Sequence, residues 1–205
     1  MRHTACVKTA RRAALFEGAA VIGVMVAVMW VVEIVNKIDG QGLSSDGIYP
    51  RTLSGLPGII SAPFLHFGFN HLIGNTIPFV ILGLVIAAAG ARRVIEVTVI
   101  VILVAGLGTW LTAGAHSDTV GASGVVFGYA GFLIARGFIT RTIGALALGV
   151  VAAVLFGGAL AAGLVPHPGI SWQDHLFGGL GGILAARLLS GGASAKTKTK
   201  TAVSA

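Results

Sequence analysis

Ser123 stands between glycines in Val120-Gly121-Ala122-Ser123-Gly124, and His175 sits in Asp174-His175-Leu176-Phe177-Gly178-Gly179-Leu180-Gly181-Gly182. A serine hydroxyl is a poor nucleophile until a base takes its proton, and a neutral imidazole at hydrogen-bond distance can do so. A third polar segment, His66-Phe67-Gly68-Phe69-Asn70-His71-Leu72-Ile73-Gly74-Asn75, sets His71 and Asn75 at i and i+4, adjacent donors on one helix face. With the Ser123 backbone amide, such donors suit the oxyanion of a tetrahedral intermediate, which points to acyl transfer. Each segment alone also has a plainer reading. Ser123 fits as a small packing residue, His175 as an interfacial or hydrogen-bonded structural group, and His71 with Asn75 as polar ties between helices.

The elements that carry these residues follow from composition. Of 205 residues, 55% are hydrophobic and only 10% charged, against roughly 25% charged in a soluble domain. Apolar runs of about 20 residues match the bilayer core, and they predict spans at 13–35, 70–90, 94–114, 119–136, 143–165 and 171–190. The first run, Ala13 to Val35, is too long for a signal-peptide core and lacks a small-residue cleavage site, so it is expected to be retained. Cys6 is the sole cysteine, which excludes an intrachain disulfide and a cysteine metal site.

The net charge of +7 sits in short blocks at the ends of apolar runs. That pattern fits anionic lipid headgroups and a lipid bilayer as partner, not nucleic acid. Of the 14 Lys and Arg residues, all but Lys37 and Arg51 fall in the N-tail, the 2/3 and 4/5 loops, and the segment from Arg187 onward. The asymmetry predicts cytoplasmic termini, with the 1/2, 3/4 and 5/6 loops facing outward. Three parts are expected: a basic cytoplasmic N-tail (1–12), a six-helix membrane domain (13–190) and a polar, low-complexity, disordered cytoplasmic C-tail (191–205).

Spans four and six both run inward, so Ser123 and His175 share a depth of roughly 5 to 10 Å below the outer surface at about 1.5 Å per residue. Gly121, Gly124, Gly128 and Gly131 form a small-residue strip on span four, and His175, Gly178, Gly182 and Ala185 repeat the spacing on span six. Apposed strips would bring the two backbones close. Pro78 should kink span two one turn below Asn75. The loop of residues 36–69 is the one long connection, with Pro50, Pro57 and Pro63 among the apolar Leu56, Ile59, Ile60, Phe64 and Leu65. Trp30, Trp110 and Trp172 fall near predicted interfaces and are expected as anchors. Asp174 lies about 100° round the helix from His175, so it is expected to meet water or cap its span and not to form a third catalytic member.

The three polar segments resemble the marks of the rhomboid family of intramembrane serine proteases. These are Gly-x-Ser-Gly at the fourth core helix (Gly121, Ser123, Gly124), His-x-x-Gly-x-x-x-Gly on the sixth (His175, Gly178, Gly182) and His-x-x-x-x-His-x-x-x-Asn at the second (His66, His71, Asn75). The resemblance implies an all-α, polytopic membrane protein, a rhomboid-like bundle of six transmembrane helices. It implies a dyad in which Ser123 is the nucleophile and His175 the base and then the acid, with His71, Asn75 and the Ser123 amide as oxyanion site. Phe127 matches an aromatic position that packs on the catalytic histidine, where tyrosine is frequent, and His66 is expected to organise the loop end. No metal or organic cofactor is implied.

The expected substrates are transmembrane segments of membrane proteins, cleaved near the outer face of a bacterial inner membrane. One departure is that some members carry a Trp-Arg pair in the first outer loop, whereas this loop has Arg51 and no Trp. Two alternatives stand beside the protease. A catalytically inactive relative that binds membrane segments would usually lack the dyad. A small transporter or channel predicts paired charges or broken helices at mid-bilayer, whereas Glu33 and Glu96 fall near span ends.

Overall fold

The computed structural model describes residues 2–40 and 42–190. Six long helices dominate it: α1 (Arg2–Ile38), α2 (Phe69–Ala87), α3 (Ala91–Thr112), α4 (Ser123–Thr140), α5 (Ile143–Gly163) and α6 (Trp172–Ser190). The chain is an all-α, multi-pass membrane bundle. Helices α2 to α6 have 18 to 22 residues, and at about 1.5 Å per residue they match a hydrocarbon core of roughly 30 Å. Helix α1 has 37 residues and runs unbroken from Arg2, so no structural break separates a basic N-tail at residue 12. The expected polar tail 191–205 lies outside the described residues.

Helices α1 to α5 are each long and apolar enough to cross a membrane. Helix α6 is more polar, carrying Gln173, Asp174, His175 and Arg187. Its position explains this composition: it packs mainly on α4 and α3, and Asp174, His175, Gly178, Gly182 and Ala185 are buried along it. A helix that buries one face in protein can carry polar groups on that face, while Leu176, Leu180, Leu184 and Leu188 stay exposed on the other.

Glycines set how closely α6 approaches α4. A Cβ added at Gly178 would collide with the Gly124 carbonyl, and one at Gly182 with the Gly128 carbonyl. The predicted strips therefore face each other over two turns. Gly131 departs from the register and abuts Gly179, whose carbonyl would lie 2.6 Å from an added Cβ. Gly182→Ala is expected to lower stability by about 1 to 3 kcal/mol through overpacking, read as a fall in the thermal midpoint in detergent. Gly157→Ala is the control, since nothing lies within 4 Å of its added Cβ and alanine is the better helix former.

Span four starts later than the apolar run suggests. Residues 113–122 are non-helical, and α4 begins at Ser123. Gly121 has φ +122°, a conformation that L side chains rarely adopt and that cannot continue a helix. The segment is pinned by a two-way bridge, Ile48 N–H to Thr119 O at 3.0 Å and Thr119 N–H to Ile48 O at 3.3 Å, and by Gly121 N–H to Ala62 O at 2.8 Å. Pro78 lies within α2, which continues to Ala87.

The long first loop is built from three helical turns, Gly42–Asp46, Gly58–Ser61 and Ala62–Phe64. Ile48, Ile59 and Leu65 are buried in it, whereas Leu53, Ile60 and Phe67 are exposed. Its seat on α3 is polar as well as apolar. The Arg51 amide donates to Trp110 O at 3.0 Å, and its guanidinium donates to Leu111 O at 3.1 Å and Ala113 O at 2.8 Å. These bonds satisfy carbonyls at the α3 C-terminus. Trp110 returns a bond from Nε1 to Thr52 O at 2.9 Å. A tryptophan thus reaches the first loop from α3. Trp30 likewise does more than anchor an interface: its Nε1 donates to Thr76 Oγ1 at 3.2 Å and ties α1 to α2.

Candidate active site

Ser123 is the first residue of α4, directly after the Gly121 turn. His175 lies in the first turn of α6. The buried crossing of these helices brings His175 Nε2 to 2.8 Å from Ser123 Oγ. The other ring nitrogen, Nδ1, is 2.7 Å from the Gly163 carbonyl oxygen at the end of α5. A carbonyl can only accept, so Nδ1 carries the proton in the neutral ring. Nε2 then presents its lone pair to the serine hydroxyl, the tautomer a general base requires.

Two further contacts fix the ring. Phe127, one turn along α4 from Ser123, stacks on His175 with centroids 4.1 Å apart and an interplanar angle of 7°. A Cβ at Gly163 would meet Phe127 Cζ at 2.6 Å and His175 Nδ1 at 2.8 Å. Glycine at 163 therefore lets the α5 terminus reach the imidazole. The sequence reading omitted Gly163, and no local signal marks it. A backbone acceptor at the end of an apolar helix looks like any other glycine.

His71 and Asn75 reach the same turn from α2. A Cβ at Gly121 would lie 2.8 Å from His71 Nε2 and 3.3 Å from Asn75 Nδ2, so Gly121 is required for approach as well as for φ. The Phe67 amide points to His71 Nδ1 at 3.5 Å, which favours the proton on Nε2, the nitrogen nearest the Gly121 turn. Asn75 Nδ2 is buried with no hydrogen-bond partner among the described residues. A cavity of about 910 Å³ opens over the site, with His71, Ser123 and His175 in its wall alongside Phe67, Asp118 and Trp172.

His66 serves the backbone. It is fully buried, its Nε2 accepts the Ala122 N–H at 3.4 Å, and its carbonyl accepts from Asn36 Nδ2 and Ser44 Oγ, both at 3.3 Å. Burial, and then the neighbouring His71, push its pKa down to about 4, so at neutral pH it remains an acceptor. Its ring meets His71 edge-on at 5.1 Å. Glu33, expected near a span end, is fully buried beside this group, with Asn36 Nδ2 3.5 Å from Oε2. At the cavity rim, burial raises both the Asp118 carboxyl and the Tyr49 phenol. Tyr49 stays protonated and donates to Asp118 Oδ2 at 3.3 Å.

Asp174 corrects an expectation. It does not meet water or cap its own helix: it is 6% exposed, and its carboxyl group lies against Gly124 of α4. The ring nitrogens of His175 are engaged by Gly163 and Ser123, not by Asp174. Among the described residues, no three His, Cys, Asp or Glu side chains gather as metal ligands.

The chain is 37% identical over 197 residues to an uncharacterized protein of Mycobacterium tuberculosis, covering 92% of this chain and 82% of that one. An uncharacterized protein of Mycobacterium bovis matches to the same extent. One of Mycobacterium leprae is 36% identical over 192 residues, covering 89% of this chain and 76% of its own length. The model of the Rhomboid domain matches residues 54–192, a range that holds Ser123, His175, His71 and Asn75 together. With its helices in this order and the three motifs meeting at one end of the bundle, the chain belongs to the rhomboid family.

Proposed function

We propose that the protein is an intramembrane serine endopeptidase that cleaves transmembrane segments of membrane proteins with a Ser123–His175 dyad. The observation that carries this reading is the 2.8 Å contact between His175 Nε2 and Ser123 Oγ, with Nδ1 held by the Gly163 carbonyl. An inactive relative that only binds membrane segments has no need of this proton-transfer geometry.

A substrate helix enters laterally and unwinds near its outer end, because an intact helix keeps its carbonyls in hydrogen bonds. Ser123 Oγ attacks the scissile carbonyl carbon as His175 Nε2 takes the hydroxyl proton. The resulting oxyanion is received by the Ser123 amide, His71 Nε2–H and Asn75 Nδ2–H. His175 passes its proton to the departing amine, the C–N bond breaks, and Ser123 is left as an ester. Water then repeats the sequence: His175 deprotonates it, the acyl carbon is attacked, and Ser123 recovers its proton. The positive-inside asymmetry supports cytoplasmic termini and a site near the outer face of the membrane. The mechanism uses neither metal nor organic cofactor.

A serine-reactive fluorophosphonate tests the nucleophile directly. Wild type is expected to label and Ser123→Ala not to, and equal labelling of the two would overturn the assignment. Gly163→Val probes the tautomer lock. Its side chain displaces both Phe127 and His175, so labelling is expected to slow by about 10²-fold, as a misplacement of about 1 Å produces.

A further inference from the structure

We infer that Asp174 is a positioning residue that caps α4 from α6 and thereby sets the Ser123–His175 geometry. The inference rests on the dyad reading above. Two consecutive residues of α6 meet two consecutive residues of α4: His175 engages Ser123, and the carboxyl of Asp174 lies on Gly124, with Oδ1 2.5 Å from an added Cβ.

The first turn of a helix leaves backbone N–H groups without intrahelical acceptors. At α4 the residue in the N-cap position is Ala122, which makes no side-chain cap bond. The carboxyl of Asp174, lying on Gly124 in the first turn of α4, is placed to supply the missing acceptor from another helix. Thr109 of α3 is fully buried beside this contact, and its Oγ1 has no hydrogen-bond partner among the described residues. One carboxyl group thus links α6 to α4 at the level of the dyad.

Division of labour between the amides follows. The Gly124 N–H is taken up by Asp174, while the preceding Ser123 N–H stays available for the oxyanion. An ionisable side chain buried in a membrane bundle is costly, and an apolar residue here would fill the space but leave the Gly124 donor unpaired. A register error of one residue between α4 and α6 would separate both pairs at once. The Asp174 contact therefore guards the distance that His175 needs.

The test uses the full chain in lipid nanodiscs and measures the rate of fluorophosphonate labelling, kcat and KM for a transmembrane peptide, and the thermal midpoint. Asp174→Ala is expected to slow labelling and kcat by about 10- to 100-fold, with KM changed by less than about twofold. Asp174→Asn keeps an oxygen to accept the Gly124 N–H and is expected to stay within about threefold of wild type.

Wild-type labelling per folded molecule in Asp174→Ala, even with a lowered midpoint, means that Asp174 only stabilises the bundle and overturns the inference. Should Asp174→Ala not fold, Asp174→Asn decides, and labelling slowed tenfold or more in it overturns the cap. Wild type that neither labels nor cleaves overturns the dyad reading, and this inference falls with it. Labelling of wild type together with unchanged labelling of the Asp174 variants leaves the dyad standing and removes only the cap.

Discussion

Ser123→Ala is expected to lower cleavage of a transmembrane substrate by about 10⁵-fold or more, and His175→Ala by a similar factor, because members of a catalytic unit fail together. The double variant should be no slower than either single one. The 2.8 Å bond explains this non-additivity: without the imidazole the hydroxyl keeps its proton, and without the hydroxyl the imidazole has nothing to activate. Ser123 is only half-buried at the cavity wall, so removing its oxygen should leave the thermal midpoint nearly unchanged. A fluorogenic transmembrane peptide assayed with wild type and the three variants measures the effect. Equal cleavage by all four proteins would rule out the dyad.

How much of this was legible in the sequence differs from feature to feature. The six helices were, because lipid demands long apolar runs, and their ends moved by no more than about four residues except at α1, whose helix starts at Arg2 and takes in the basic segment before the apolar run. At α4 the run starting at 119 misleads: Thr119 to Ala122 carry no charge and are small or apolar, yet Gly121 adopts φ +122° and Ser123 begins the helix. Hydropathy is blind to a turn that exists to aim one hydroxyl. The matched spacing of Gly124 and Gly128 with Gly178 and Gly182 was readable, since close backbone contact needs missing side chains.

The contacts made by the backbone were not readable. The Gly163 carbonyl on His175 and the Ala122 amide on His66 depend on where chain segments arrive, not on what their side chains are. Asp174 was misplaced for a related reason. Angular position round its own helix identifies which face it occupies, but not that another helix begins on that face with its N–H groups uncapped. Trp110 shows the same limit, since a loop residue's partner can come from a distant helix.

Truncating the donors that converge on the Gly121 turn should separate chemistry from binding. His71→Ala and Asn75→Ala are each expected to cost about 10² to 10³ in kcat, with KM little altered, because the charge they meet exists only after Ser123 attacks. Asn75 is the sharper case. Its Nδ2 is buried, unpartnered among the described residues, and aimed at Gly121. A buried amide left unpaired is destabilising by about 1 to 3 kcal/mol, so Asn75→Leu should raise the thermal midpoint or leave it unchanged even as turnover collapses. Opposite movement of stability and rate is what an oxyanion donor predicts, whereas a polar tie between helices would lose both together. His71→Gln adds a check on geometry. Its amide can still donate, but the reach from α2 differs, and a partial recovery of kcat over His71→Ala would tie the effect to the hydrogen bond and not to the ring.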